Sequence, residues 1–379
     1  MRTVGVEEEL LIVRTGTGQA VSVAPQVLRQ ADRLAVREQD ESSEHAEAGS
    51  SLDGELQRQQ VETDTAPHRS MADLHEELVS WRTRADDAAR REGARIAAVG
   101  TSPIPVEPRT ANSERFGLLL ERFGLMAAEQ LTCGAHVHVQ VDSDDEAIGA
   151  LDRLRVWLPT LLALTGNSPF WQGTDTAYAS YRSQVMTRWP SAGPPDIYGS
   201  AANYRATVRH MVQTGVLLDP GMVYYDARPS HSYPTLEIRV ADVCQDVRDT
   251  VVLAALCRAL VETAAQEWRD GSPTPAVPVH LLRLATWQAG RYGLGGDLLD
   301  PSSSLPRPAG EVLDSLYSYV RPALVAAEDD QLVDDGLQRI LTTGTGADRQ
   351  RRILAKTGDV SDVVAAAVRA TRGQEGEDS

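Results

Sequence analysis

An α+β fold built on a mostly antiparallel sheet is predicted by three features of the 379-residue chain. Short stretches alternate apolar and polar residues with the period of two that half-buried strands show. Amphipathic helical patterns separate them. The two kinds of segment follow one another irregularly, without the regular alternation that a doubly wound parallel sheet requires.

In chain order, residues 3–13 alternate as the first strand, and Leu56 to Thr63 as the second. Ser70 opens a charged amphipathic helix over Met71 to Glu92, because its hydroxyl is suited to cap free backbone N–H groups. Arg95 to Gly100 reads as a strand, and Ser113 to Glu129 as a helix capped at Asn112 or Ser113. Ala135 to Val141 is the next strand, followed by an acidic cap at Asp142–Asp145 and a helix to about Leu164. Thr235 to Ala241 is a strand, and Gln245 to Arg269 a long helix entered through Asp246 and Asp249. Residues 166–200 and 219–234 are rich in Pro and Gly and read as functional loops or covers. Beyond residue 300, a Ser/Pro-rich linker leads to helical runs at 310–327, 329–341 and 347–370.

The charge balance excludes some functions. Lys and Arg number 37 against 54 Asp and Glu, a net charge of −17, so no basic surface for nucleic acid is expected. Lys356 is the single lysine, and no glycine-rich loop precedes it, which excludes a P-loop. Cys133, Cys244 and Cys257 are odd in number and lack C-x-x-C spacing, as expected in a reducing cytoplasm. The N-terminus carries three glutamates within its apolar run, unlike a signal peptide, and no stretch is long enough to span a bilayer.

Chemistry is concentrated on the strands. In Val6–Leu10, Glu7 and Glu9 share one face, while Val6, Glu8 and Leu10 share the other. His136, His138 and Gln140 likewise share a face against valines, and Glu237 and Arg239 share one against Leu236, Ile238 and Val240. Glu55 and Glu62 are seven apart, so they serve one site only if a bulge or an early strand end intervenes. An alternating strand with a polar face is most often merely half-exposed. Here the polar positions are Glu, Glu, His, His, Glu and Arg instead of the Lys, Thr and Gln of a solvated face. Were these faces to meet, their carboxylates would repel unless protonated or held around divalent cations, and the oxygen-rich set suits Mg²⁺ or Mn²⁺.

In TVGVEEELLIV, ELQRQQVET, TCGAHVHVQV, GNSPFWQGTDTAYASYR, MTRWPSAGPP and RPSHSYPTLEIRVADVC, the chain resembles the ATP-dependent carboxylate–amine ligases known as type 2 glutamate–cysteine ligases. ATWQAGRYGLGGDLLDP is a weaker match of the same kind. The resemblance runs from about residue 3 to residue 300 and implies a glutamine-synthetase-like catalytic fold. It makes residues 1–300 the catalytic domain; the change of character beyond it marks 301–371 as a C-terminal helical segment, and the polar composition of 372–379 predicts a disordered tail. One departure is visible: Ser102 stands where many members have histidine.

The resemblance implies that Glu7, Glu9, Glu55, Glu62, His136 and Glu237 hold the metal ions, with Asp53 able to displace Glu55. It implies that Arg239 meets the transferred phosphoryl group beside Glu237, and that His138 serves as a ligand, a support for one or a substrate contact. The expected reaction joins the γ-carboxylate of glutamate to the amine of an amino acid, cysteine in the family's naming. ATP is consumed through an acyl phosphate, with Mg²⁺ or Mn²⁺ as the cation. Arg182 and Arg228 are candidates for clamping a substrate carboxylate, and Asn167 and Ser168 for substrate contact or loop capping. Trp171, Trp189 and Tyr198 read as packing residues and Cys133 as a buried thiol.

Two other functions stay open. One is a metal-dependent hydrolase using His136 and His138; the other is a non-catalytic relative that keeps the fold. The partners expected are ATP, glutamate and an amine, with neither nucleic acid nor membrane, and a homo-oligomer is left open.

Overall fold

The computed structural model of the chain describes residues 1–41 and 51–373. In chain order it comprises β1 (Val4–Arg14), α1 (Ala24–Glu41), β2 (Ser51–Gly54), β3 (Gln60–Asp64), α2 (Met71–Arg90), β4 (Ala94–Ala97), α3 (Glu114–Phe123), α4 (Leu125–Ala128) and β5 (Gly134–Gln140). There follow α5 (Asp144–Leu154), α6 (Leu158–Leu164), β6 (Phe170–Trp171), β7 (Thr174–Asp175), α7 (Tyr181–Met186), α8 (Ala201–Gln213), β8 (Ala227–Pro229), β9 (Thr235–Asp242), α9 (Val247–Arg269) and α10 (Val279–Tyr292). The chain closes with β10 (Asp297–Asp300), β11 (Leu305–Pro308), α11 (Ala309–Ala326), α12 (Asp330–Thr343), α13 (Gly346–Thr357) and α14 (Val360–Thr371).

The central sheet runs β2-β3-β1-β5-β9-β8, with β4 pairing the far end of β1. Every pairing in it is antiparallel, as expected. The alternation along each strand decides which face is buried. Val4, Val6, Val137, Val139, Leu236 and Ile238 pack into one apolar core with α2, α5, α6, α9 and α11. Glu8 also faces that side and is fully buried, which costs free energy unless its charge is matched. Arg82 of α2 matches it, donating to both carboxylate oxygens at 2.6 and 2.7 Å, and Thr250 Oγ1 donates at 2.8 Å.

A second core joins the end of β1 to β4, α1, α2 and α14 through Leu10, Ile12, Ile96, Val364 and Ala367. A third, built on Leu119, Trp189, Leu217 and Met222, lies among α3, α4, α8 and the loops beside them. The last helices are not an appendage. Val312, Leu316, Val320, Val333 and Ile340 belong to the main core. Gln350 of α13 donates to the Asn167 carbonyl and to its side-chain oxygen, at 3.0 and 2.7 Å. Thr371 of α14 accepts from the Ala98 N–H at 2.8 Å.

Several expected elements are altered for identifiable reasons. The single strand expected over 56–63 is a hairpin, β2–β3, because Leu56 and Arg58 turn aside to hydrogen-bond Ala111 and Arg109. The helix expected over 113–129 breaks at Gly124, whose φ of +54° lies outside the right-handed helical region. The helix expected up to Leu164 divides into α5 and α6 at a tight turn, with Pro159 in the first turn of α6. The last helical run divides into α13 and α14 at Gly358, in the left-handed conformation. Helices α1, α7, α8 and α10 have no counterpart in the sequence reading, α7 lying in the segment read as a loop; in α8 only Ala201 is buried, so no apolar stripe announces it. Of the expected disordered tail, Arg372 is held by Asp86 at 3.1 Å, and residues 374–379 lie outside the described residues. Among the described residues, no helix is long and apolar enough to cross a membrane.

Candidate active site

The register of the sheet converts separate strand motifs into one site. Glu7 on β1 stands opposite His136 on β5 and Asp64 on β3, while Glu9 stands opposite Glu62. His138 stands opposite Glu237 on β9. Directly opposed residues in antiparallel strands point the same way, so the polar positions of four strands meet on one face. Glu55 joins them because β2 ends at Gly54 and the chain turns; this is the early strand end that the spacing demanded.

The polar face floors a cavity of about 370 Å³. Arg115, Phe116 and Leu119 of α3, Trp189, and the 221–233 segment line the rest of it. Three overlapping triads present ligand atoms within 4.8 Å of one another: Glu7–His136–Glu237, Glu7–Glu62–Asp64 and Glu9–Glu55–Glu62. Glu7 and Glu62 are each shared by two triads. Such a string of oxygens with one imidazole suits hard divalent cations.

Protonation follows from burial and proximity. Burial pushes Glu9 up to about 7, and the Glu55 carboxylate adds to the shift. Burial, then Glu55, Glu7 and Glu9, hold Glu62 well above the carboxylate range. Burial and Glu7 raise Asp64 to about 6. Glu7 goes the other way: burial opposes its charge, but the hydrogen bond with His136 Nδ1 at 3.0 Å and the close approach of His138 Nε2 at 2.9 Å hold it far below the usual range. His136 is lowered to about 4 by burial and by Arg239, so it is a neutral imidazole able to bind a cation. His138 is raised despite its burial, through Glu7 and Glu237. Glu237 is held at about 2 against its burial by Arg239 and Arg228.

These shifts have a sign that can be tested. A carboxyl raised in the folded protein contributes stability that is fully present below its unfolded pKa and lost as pH rises through the folded value. Glu9 and Glu62 therefore destabilise the metal-free protein as pH rises from the glutamate range through about 7. A divalent cation removes this repulsion but must displace the protons. The gain in Tm on adding Mg²⁺ is expected to be larger at pH 8 than at pH 6; a scanning-calorimetry series showing equal gains would count against cation binding by these carboxylates.

The structure sorts the remaining predicted residues. Glu7, Glu9, Glu55, Glu62, His136, His138, Glu237, Arg239, Arg182 and Arg228 all line the cavity. Arg239 pairs with Glu237 Oε1. Arg228 donates to Glu237 Oε2 at 2.9 Å and to the carbonyls of Gly221 and Val223, so it ties that loop to the floor. Arg182 lies directly over Gly134, where an added Cβ would clash with its guanidinium. Asn167 and Ser168, expected as possible substrate contacts, are instead buried outside the cavity lining. They bind the Asp242 carboxylate through the Asn167 N–H at 2.9 Å and Ser168 Oγ at 2.7 Å, and Asn167 Nδ2 donates to the carbonyls of Ala98 and Val243. Asp53 is exposed and belongs to none of the three triads, whereas Glu55 does. Cys133 is buried as expected, its thiol pushed well up by burial. Trp189 packs on Phe123 and Tyr224, with ring centroids 5.2 and 5.3 Å apart. Ser102 lies outside the cavity lining and donates to the Ile104 carbonyl at 2.7 Å.

Sequence reasoning missed Asp64, although it follows Glu62 by two and the strand period carries straight to it. It also missed Arg115, Tyr224 and Asp226, which lie where no period operates.

Comparison with known proteins places the chain in a family. Residues 3–366 match the glutamate–cysteine ligase family 2 profile. A Streptomyces coelicolor protein named "Putative glutamate--cysteine ligase 2" is 48% identical over 372 residues, spanning 98% of this chain and 99% of that protein. A Streptomyces avermitilis protein, "Putative glutamate--cysteine ligase 2-1", is 46% identical over 98% of this chain and 100% of its own length. Among solved structures, a Francisella tularensis glutamate–cysteine ligase in complex with AMP superposes with a TM-score of 0.66 at 13% identity, covering 99% of this chain and 89% of that one. A bifunctional glutathione synthetase from Pasteurella multocida gives 0.67 at 15% identity, covering 98% of this chain and 52% of that one. The α+β fold with a largely antiparallel sheet expected from the sequence is thus the fold observed. With a family match across nearly its whole length and relatives approaching half identity, the chain belongs to glutamate–cysteine ligase family 2 and is an enzyme of the ATP-dependent ligase class.

Proposed function

We propose that the protein uses ATP to activate the γ-carboxylate of glutamate as an acyl phosphate and joins it to the amine of an amino acid, with L-cysteine as the first acceptor to test. The observation that carries this reading is the register that brings five acidic side chains, His136, Arg239 and Arg228 onto one cavity floor. A triphosphate is polyanionic, and a floor of carboxylates repels it unless cations lie between. Glu7, His136 and Glu237 would hold one cation; Glu9, Glu55 and Glu62 would hold another. Mg²⁺, or Mn²⁺ in its place, supplies neutralisation of the phosphate charge and of the charge developing as the phosphoryl group moves.

The chain's own groups support the remaining steps. The γ-phosphoryl passes from ATP to the substrate carboxylate oxygen, and ADP departs. The amine nitrogen then attacks the acyl carbon; the bond from that carbon to the bridging oxygen breaks, its electron pair leaves on phosphate, and the nitrogen gives up one proton to phosphate or water. Arg239 is permanently charged and positioned by Glu237, which suits it to stabilise the phosphoryl oxygens during transfer. An acyl phosphate must be kept from water, and the 221–233 segment, anchored by Arg228, provides a cover. A hydrolase built on His136 and His138 has less support, because both imidazoles face Glu7, and Glu7 and Glu237 raise His138, which weakens it as a metal ligand. The three cysteines are free and buried, which supports a cytoplasmic setting where ATP is available.

The test is incubation of the purified protein with ATP, Mg²⁺, glutamate and a panel of amino acids, following ADP, phosphate and product mass. A dipeptide that requires ATP, glutamate and one amine is the expected result. Absence of nucleotide turnover with every carboxylate tried would overturn the ligase mechanism for this cavity.

A further inference from the structure

One end of the cavity is chemically unlike the carboxylate floor. It is lined by Arg182 and Ser183 of α7, Ala192–Gly193, Asp226 and Thr286 of α10. Three polar atoms there are buried without any hydrogen-bond partner: Asp226 Oδ2, Thr286 Oγ1 and Arg182 Nε. Arg182 and Thr286 are more than nine-tenths buried, yet both contribute to the cavity wall. Buried polar groups are ordinarily paired, and each left unpaired costs free energy. Three on one wall form a set that is incomplete without something in the cavity.

The backbone holds Asp226 firmly. Its N–H donates to the Gly193 carbonyl at 2.9 Å, and its carbonyl accepts from the Arg239 N–H at 2.8 Å. Its charged neighbours are Arg182 and Arg283, neither of which hydrogen-bonds it. Arg283 lies one turn before Thr286 on α10 and contacts the Gly193 region, so these groups converge on one end of the cavity. Arg182 also neighbours Glu9, which sets it between this end and the proposed cation floor.

We propose that Asp226 and Thr286 form the subsite for the ammonium group of an α-amino acid substrate, with the Arg182 guanidinium beside it to receive that substrate's carboxylate. The inference rests on the ligase reading and adds to it the residues that select an amino acid over a plain carboxylic acid. An ammonium carries three donors, and the unpartnered carboxylate and hydroxyl oxygens are acceptors for them. A site built to hydrogen-bond a group rejects the analogue that lacks it, because the buried partners then stay unpaired. The ammonium has two sources, the glutamate donor or the amino-acid acceptor, and the same chemistry serves either.

The test compares wild type, Asp226→Asn and Thr286→Val with saturating ATP and Mg²⁺. Three reactions are followed: glutamate with hydroxylamine, which dispenses with an amino-acid acceptor; glutarate with hydroxylamine, which removes the donor's ammonium; and glutamate with the best acceptor of the panel. Both variants are close in shape to the native residue, and unchanged melting curves check the fold. In Asp226→Asn, kcat/KM is expected to fall about 10²-fold for the substrate whose ammonium is held, with KM carrying most of the loss. Turnover of glutarate is expected to stay within about twofold of wild type. A loss in glutamate hydroxamate formation identifies the donor's ammonium. A loss confined to the amino-acid acceptor identifies the acceptor's, and either supports the subsite. Equal losses with glutamate and glutarate, or no effect on any of the three reactions, would overturn it. Failure of the ligase reading looks different, since wild type would then turn over no nucleotide at all.

Discussion

Replacing Arg239 by alanine is expected to lower ATP-dependent ligation by about 10³-fold or more while leaving the melting temperature within a few degrees of wild type. The magnitude follows from where charge moves. In phosphoryl transfer there is little covalent work for the protein, so catalysis rests on positioning and on stabilising charge spread over the moving oxygens. Arg239 lines the cavity, keeps its charge at every working pH and is held by Glu237 on the same strand face. Arg239→Lys is expected to recover only a small part of the activity, because a point charge cannot reproduce the planar fork. Glu237→Gln is expected to be similarly severe for a different reason: it weakens the hold on Arg239 and Arg228 together and removes a carboxylate oxygen from the Glu7–His136–Glu237 triad. Near-normal single-turnover rates in either variant would show that phosphoryl transfer occurs elsewhere.

The second large effect is on stability. Breaking the Glu8–Arg82 pair from one side, as in Glu8→Ala or Arg82→Met, is expected to cost about 3–5 kcal/mol, because a full charge is left in the core. Both side chains are essentially inaccessible, and Arg82 also donates to the carbonyls of Cys244 and Gln245 at 2.7 and 3.0 Å. Removing Arg82 therefore orphans two backbone acceptors at the entry to α9 as well. Urea unfolding of the two single variants and of the double variant Glu8→Ala/Arg82→Met measures the coupling. The double variant is expected to be more stable than the single-site costs summed. Simple additivity would mean that the two charges do not depend on each other. The pair sits behind the cavity floor, so these losses are expected in stability before they are seen in kcat.

How much was legible in the sequence follows from which signals are periodic. Glu7, Glu9, His136, Glu237 and Arg239 could be placed on one face of their strands because side chains alternate with period two. That these faces are neighbours was not legible, since pairing order is a property of the sheet. Glu55 and Glu62 could be paired only conditionally, because their spacing needs a break that the backbone of 56–58 supplies by turning toward 109–111. Asp64 was within reach of the same rule and was lost because the strand was ended one residue early. Asp226 and Thr286 gave no signal: one lies in an irregular segment, the other on a helix whose buried residues look like any packing face. Asn167 and Ser168 were drawn toward substrate by their polarity. Their burial against Asp242 shows how a polar loop motif can serve structure alone.

The last two helices have a consequence for how the enzyme comes into being. Gln350 reaches back to Asn167, across 183 positions, and Asn167 in turn binds Asp242, which lies 3.9 Å from Arg182. Thr371 closes on Ala98 across 273 positions. Contacts so distant in sequence form late, after the entropy of closing the intervening chain has been met. A nascent chain at the ribosome that has already exposed every carboxylate of the floor still lacks the buttress behind Arg182. Nucleotide consumption is therefore expected to begin only once α13 and α14 have been made and packed, as a step instead of a gradual rise during synthesis.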